Sequence, residues 1–286
     1  MSALTDLIRI IPPDRDEDPE DIFASAPGLI FTDDLRNQHG DPDSTIIYKS
    51  KRFGEIELKT TDPGVERERQ LFSHYLWNAG IRLAELISDD VSQGGKWSVK
   101  GEKVLELGAG VGLDGIIATL AGAAMVSISD YPSTAVLTNI RANAQRNIPK
   151  HHHHLTTSKY RIDGHEWGDF QTNFATIHAH QFTRILAADC YWMPGQHENL
   201  VRSMLHFLTL GSEGQVLVVA GFHTGRRKLA AFFHVAVELG LVVEEIYEED
   251  ADGVRREWVT ERDEGREDPT ERKKWLVIAR LRRRQG

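Results

Sequence analysis

Apolar and polar positions along the chain switch between two periods, and each switch marks an element. Residues 45–48 and 56–59 are short β-like runs on either side of Lys51-Arg52-Phe53-Gly54, which predicts a hairpin. Over 66–87 apolar residues recur at helical spacing (Leu71, Tyr75, Leu76, Ala79, Leu83, Leu86), which predicts one long helix, closed by Gly94-Gly95. Beyond Gly101 the two periods alternate. Strands are expected at 103–107, 125–129, 158–162, 183–188, 215–220, 241–245 and 275–281, and helices at about 113–120, 133–147, 198–208 and 227–239. Strands alternating with helices of this length predict an α/β fold. Its core is a doubly wound, mostly parallel seven-stranded sheet covered on both faces, with the hairpin and first helix on its N-terminal side.

The stretch before the hairpin is different in kind. Between residues 12 and 21 six of ten are acidic and three are proline, a composition that buries little. A flexible acidic tail over 1–43 and a single domain over 44–286 are therefore expected. The net charge of -9 disfavours a bare DNA or RNA substrate, whose binders usually show a basic face, and favours a basic protein as partner. Cys190 is the only cysteine, so no internal disulfide forms, and a reducing compartment, cytoplasm or nucleus, is expected. Residues 1–13 lack the charged and apolar regions of a secretory signal. No apolar run approaches 18 residues, so no membrane insertion is expected. The run His151-His152-His153-His154 reads as a solvated loop, since metal ligation needs partners converging from elsewhere; no metal site is expected.

Candidate chemistry starts at the turn after the first strand of the alternating region, Glu106-Leu107-Gly108-Ala109-Gly110-Val111-Gly112. Glycines let the backbone turn sharply there and leave room for a ligand at a helix N-terminus. Gly110, Gly112 and Gly115 also satisfy the dinucleotide pattern G-x-G-x-x-G, which by itself fixes no ligand. Glu106 separates the alternatives, because a carboxylate beside this turn repels a pyrophosphate and suits a cation such as the ammonium and sulfonium of S-adenosylmethionine. Asp130, at the end of the next strand, is placed to accept hydrogen bonds from ribose hydroxyls, with Tyr131 beside it for the adenine.

Together these motifs resemble the class I, seven-β-strand methyltransferases, and more narrowly methyltransferase family 16. The likeness is greatest to a fungal branch labelled nicotinamide N-methyltransferase-like, one member of which methylates elongation factor 1A. Four stretches carry it: Leu76-Trp77-Asn78-Ala79-Gly80, residues 104–112, Ser129-Asp130-Tyr131-Pro132, and Ala187-Ala188-Asp189-Cys190-Tyr191-Trp192. The resemblance extends over about 45–281. It implies S-adenosyl-L-methionine as cofactor, with Trp77, Gly108, Ala109, Gly110, Asp130, Trp167 and Ala188 in contact with it. Glu106, Gly112 and Tyr131 complete the expected cofactor site.

Methyl transfer is an in-line displacement on an already activated carbon, so the protein has mainly to orient a lone pair and exclude water. Asp189, Tyr191 and Trp192 follow the fourth strand and are expected to rim the site as the catalytic group. A carboxylate orients an incoming amine there, and aromatic faces stabilise the cationic product. Trp192 stands where many relatives carry Tyr or Phe. Cys190 has no general-base partner in the sequence, and His197 reads as a helix start. The function expected is N-methylation of a lysine or N-terminal amine of a protein, of the translation-factor or histone type. Small-molecule N-methylation, or a methyltransferase-fold subunit acting through a protein partner, stays open at this point.

Overall fold

The computed structural model describes residues 4–12, 38–40, 44–71, 75–90, 95–151 and 159–285. On the N-terminal side β1 (Ile8–Ile11), β3 (Thr45–Ser50) and β4 (Gly54–Lys59) form a three-stranded antiparallel sheet, with the expected hairpin as its β3–β4 pair. The two-stranded pair β2 (Gln38–His39) and β5 (Leu76–Trp77) lies apart from it. The single helix expected over 66–87 is interrupted. Its first turn is α1 (Glu66–Arg69), and α2 (Asn78–Asp89) begins only after Trp77, whose extended backbone (φ -100°, ψ 149°) pairs with Gln38. Cross-strand pairing outweighs helical spacing at that point.

The alternating region then runs β6 (Lys103–Leu107), α3 (Leu113–Leu120), β7 (Met125–Asp130), α4 (Thr134–His151), β8 (Lys159–Gly164), α5 (Asn173–His178) and β9 (Arg184–Ala188). It continues with α6 (His197–Phe207), β10 (Gln215–Gly221), α7 (Arg226–Leu239), β11 (Leu241–Asp250), β12 (Arg255–Glu257), α8 (Pro269–Lys273) and β13 (Trp275–Arg283). The sheet order is β12-β11-β13-β10-β9-β6-β7-β8, with β8, β7, β6, β9 and β10 parallel and β13 inserted antiparallel. Seven of these strands are the expected ones. The eighth, β12, lies in the charged stretch that hydrophobicity leaves blank.

Period-two alternation sorts the sheet into two cores. Val104, Leu186, Leu217, Val219 and Ile278 pack on the side of α2, α3 and α4, while their neighbours Leu105, Ile185, Val216, Val218 and Ala279 pack on the side of α6 and α7. The chain leaves β6 towards β7 and β8 in one direction and returns to β9 and β10 in the other. The carboxyl ends of β6 and β9 therefore flank the crevice where a doubly wound sheet holds its ligand.

The N-terminal hairpin is fastened to this body by three carboxamides, of which Asn139 donates to the Lys59 carbonyl (2.7 Å). On α4 the Asn147 side chain accepts from the Glu57 amide (2.9 Å) and donates to the Glu57 carbonyl (2.7 Å). Asn143 does the same to Lys59, at 2.9 Å each way. The outer edge of β4 thus finds its partners on a helix, which closes an otherwise open strand edge. At the chain start, Leu4 and Leu7 are buried in the same core and β1 pairs with β3. Within the stretch expected as a tail, residues 4–11 thus carry a paired strand and two buried leucines, with Ile11 exposed. The acidic residues 14–21 and the histidines 152–154 lie outside the described residues. Among the described residues no helix is long and apolar enough to cross a membrane.

Candidate active site

A cavity of about 590 Å³ opens at the carboxyl ends of β6, β7 and β9. Its floor is the glycine turn. Gly108 has φ 67°, and a Cβ there would lie 2.7 Å from Cys190 Sγ and 3.2 Å from the Trp167 ring, so the loop passes too close to its neighbours for any side chain. Gly115, one turn further on, would set a Cβ 2.5 Å from Ile128. This lack of side chains lets α3 press against β7 while its N-terminus points into the cavity.

Three buried carboxyls stand around that turn. Glu106, 3% exposed, tucks under the loop, and its Oε2 accepts from the Gly115 amide (2.9 Å). Burial pushes its pKa up to about 8, against the Gly115 bond and with the charge of Asp130 adding to the rise. Asp114 is equally buried and held well above its ordinary value by burial and by Glu106 beside it. Among the described residues its Oδ1 has no hydrogen-bond partner. Asp130 accepts from the Gly110 amide (2.8 Å) and the Tyr131 amide (2.7 Å), and burial raises it to about 6 against those bonds. A buried acceptor left without a partner costs about 1–3 kcal/mol, so Asp114 calls for a donor or a cation from within the cavity.

At the far wall β9 ends in Ala188 and the backbone reverses. Asp189 adopts φ 56°, a left-handed conformation rare outside glycine, and its amide donates to the Val219 carbonyl (2.9 Å). Its carboxylate is claimed twice, by the Gly221 amide on Oδ1 (3.0 Å) and by His223 Nε2 on Oδ2 (2.8 Å). The His223 ring in turn lies 4.8 Å from the Trp77 ring, and Tyr75 meets Trp77 edge-on at 6.2 Å.

The structure brings Trp77, Glu106, Gly108, Ala109, Gly110, Asp130, Tyr131, Trp167, Ala188, Asp189 and Trp192 to the cavity wall. Gly112 is not in that wall; its left-handed backbone (φ 83°) starts α3. Tyr191 does not reach the rim either. The reversal at Asp189 turns it into the core, where its hydroxyl donates to the Ala187 carbonyl (3.0 Å) and its ring packs 4.1 Å from Phe232. Cys190 is buried with its thiol pushed well up, and His197 starts α6 with Nε2 against the Tyr191 carbonyl (2.8 Å). Sequence reasoning missed Asp114, His165 and His223. Asp114 sits two residues beyond Gly112, inside the motif itself. His165 follows β8 and lines the cavity with its pKa lowered to about 4 by burial. Among the described residues no group of three or more His, Cys, Asp or Glu is placed to hold a metal ion.

Comparison with known proteins agrees with this geometry. Residues 65–238 match the family described as lysine methyltransferase. The Schizosaccharomyces pombe protein N-terminal and lysine N-methyltransferase efm7 is 30% identical over 185 residues, covering 63% of this chain and 68% of that protein. The Aspergillus fumigatus protein of the same name is 29% identical, covering 64% and 70%. The chain belongs to the lysine methyltransferase family. Its likeness to a solved Streptococcus mutans chain assigned as a SAM-dependent methyltransferase shows the shared fold, with a TM-score of 0.50, 10% identity, and 87% of this chain and 56% of that one covered. This family member is an S-adenosylmethionine-dependent methyltransferase. Its cavity fits that cofactor: the side-chain-free cradle admits a ligand against the start of α3, and the unpartnered Asp114 oxygen beside Glu106 suits a cation.

Proposed function

We propose that this methyltransferase modifies a primary amine of a protein, a lysine side chain or an N-terminus, and that the wall formed by Asp189 and Trp192 receives that amine. The observation that carries the reading is the position of this wall. It adjoins the glycine turn, and it combines one carboxylate with an indole ring, the pairing that attracts a cationic nitrogen and tolerates its methylated product. The printed names of the relatives, protein N-terminal and lysine N-methyltransferases, support an amine acceptor on a protein.

In this reading Trp77, Gly108, Ala109, Gly110, Asp130, Tyr131, Trp167 and Ala188 hold the cofactor, which supplies a methyl group already activated on sulfur. Asp130 faces the ribose and Trp167 the adenine, while Glu106 and Asp114 give the methionine end its negative surroundings. Gly112 contributes through the backbone that opens α3, and Tyr191 supports the rim from behind. Asp189 and Trp192 then align the acceptor nitrogen, and orientation of this kind supplies up to roughly 7–11 kcal/mol of a barrier in favourable cases. A soluble partner of basic character fits the net charge of -9, and cytoplasm or nucleus is the corresponding compartment.

The test is substitution of the rim. Trp192→Ala and Asp189→Asn are expected to lower methyl transfer by tenfold or more while cofactor affinity stays within a few-fold of the parent. Loss of cofactor affinity and melting temperature together, with transfer per folded molecule unchanged, would place both residues outside the chemistry.

A further inference from the structure

An amine bound at neutral pH arrives as an ammonium, since a lysine side chain ordinarily titrates near 10.4. It has no lone pair until a proton leaves. Attack on the methyl group forms a nitrogen–carbon bond, breaks the carbon–sulfur bond with its electrons going to sulfur, and leaves a methylammonium. One proton must therefore depart before each transfer.

Asp189 and His223 bridge that gap. Asp189 lines the cavity, and its side chain is only 7% exposed. Its Oδ2 is 2.8 Å from His223 Nε2, and the His223 side chain, 22% exposed, keeps a contact with solvent. The carboxylate is fixed by the Gly221 amide on its other oxygen and by its left-handed backbone. Trp77 packs on the imidazole from the cavity side.

We propose that the Asp189–His223 pair is the route by which the acceptor ammonium loses its proton before methyl transfer, which rests on the amine-acceptor reading above. The ammonium gives its proton to the Asp189 carboxylate; the neutral imidazole, in the tautomer that carries its hydrogen on Nδ1, then takes that proton on Nε2, and in the imidazolium so formed Nε2 donates to Oδ2. The resulting imidazolium releases its Nδ1 proton to water. His223 is thus a positioning and relay residue that acts through Asp189.

The charged surroundings agree with this role. Burial favours the neutral ring of His223, but the charge and hydrogen bond of Asp189 outweigh it and hold the imidazole above its ordinary pKa, while Lys273 on α8 opposes. On the other side of Asp189, Cys190 and Tyr191 are buried with their pKa values pushed well up, so they stay neutral. His223 is the imidazole that Asp189 touches.

The experiment measures initial rates of tritium transfer from labelled S-adenosylmethionine into extract proteins between pH 5.5 and 9, for the full chain and for His223→Gln and His223→Ala. Gln keeps a donor for Asp189 but cannot titrate. The parent rate is expected to rise with pH, with a midpoint equal to that of the His223 imidazole followed by NMR. His223→Gln is expected to lose roughly a hundredfold at pH 7 and to lose that limb, with cofactor affinity within twofold of the parent. Restoration of the parent rate and pH profile by Gln, where Ala is impaired, would make His223 a structural strut and overturn the relay. Should either variant fold poorly, Asp189→Asn gives the second readout: the His223 midpoint must fall, and an unchanged midpoint also overturns the pairing. A parent chain that labels no protein at any pH defeats the amine-acceptor reading, and the relay with it; an active parent with an unaffected Gln variant defeats the relay alone.

Discussion

Glu106, Asp114 and Asp130 place three carboxyls around one turn, and their protons set how the unliganded chain responds to pH. An acid whose folded pKa lies above its unfolded one contributes stability that is lost as pH rises through the folded value. Glu106, raised to about 8, loses its contribution between about pH 4.5 and 8, and Asp130, raised to about 6, loses its own earlier. His165, lowered to about 4, works the other way up to about pH 6.5, where its effect ends. Between pH 6.5 and 8 Glu106 is therefore unopposed by His165, and the raised His223 adds to the same trend. Tm of the cofactor-free chain is expected to fall across that window, and Glu106→Gln should flatten the slope. A bound cation favours the ionised acids, so calorimetry in buffers of different ionisation enthalpy should record proton release when S-adenosylmethionine binds. A pH-independent Tm together with no proton release would show that these carboxyls are already ionised without the ligand.

Elements were legible in the sequence where their partners are near in the chain. The strand, glycine turn and helix over 103–120 form one local unit, and the expected bounds of β6 and α3 agree with the structure. Long-range pairing is what the pattern missed. Leu76–Trp77 leaves its helical period because Gln38–His39 pairs with it from a distant part of the chain. The strand expected at 241–245 runs on to Asp250 because arginines neutralise its glutamates. Glu248 meets Arg226 and Arg256, and Glu249 meets Arg82 (2.6 Å) and Arg255 (2.7 Å). A polar run can be a buried strand when each charge has an opposite one, which hydrophobicity alone does not reveal. The site shows the same division. The glycine turn, Asp130 and Asp189 stand in readable motifs, whereas His223 is linked to Asp189 only by the fold, and the inward turn of Tyr191 follows from a left-handed residue that no side-chain pattern signals. At this scale Asn147→Ala is expected to cost about 1–3 kcal/mol, because both backbone groups of Glu57 lose their partner. Denaturant unfolding and hydrogen exchange at the Glu57 amide measure it; full protection of that amide in the variant would mean that the carboxamide is replaceable by water.

The whole molecule joins an N-terminal antiparallel layer to a doubly wound sheet, and the two serve different ends. Residues 4–11 bury Leu4 and Leu7 and lengthen the small sheet, at a distance from the cavity wall. Deleting residues 1–12 is therefore expected to lower Tm by several degrees and leave cofactor affinity unchanged. Deletion through residue 43 also removes Gln38–His39. That pair holds the strand carrying Trp77, and His39 hydrogen-bonds the first residue of α2, Asn78 (2.7 Å). The longer deletion is expected to weaken cofactor binding as well, and titration of both truncated chains separates the two effects. If the chain lacking residues 1–43 bound cofactor like the parent, Trp77 would be held by its own helix alone. The central claim is that this architecture delivers a methyl group to an amine on a protein. Its most direct test is to incubate the purified chain with tritiated S-adenosylmethionine and a cell extract and to divide the label between protein and small molecules. The account predicts acid-stable label in protein, which mass spectrometry assigns to a lysine or an N-terminal amine. Label confined to the small-molecule fraction, with none in protein, would contradict it.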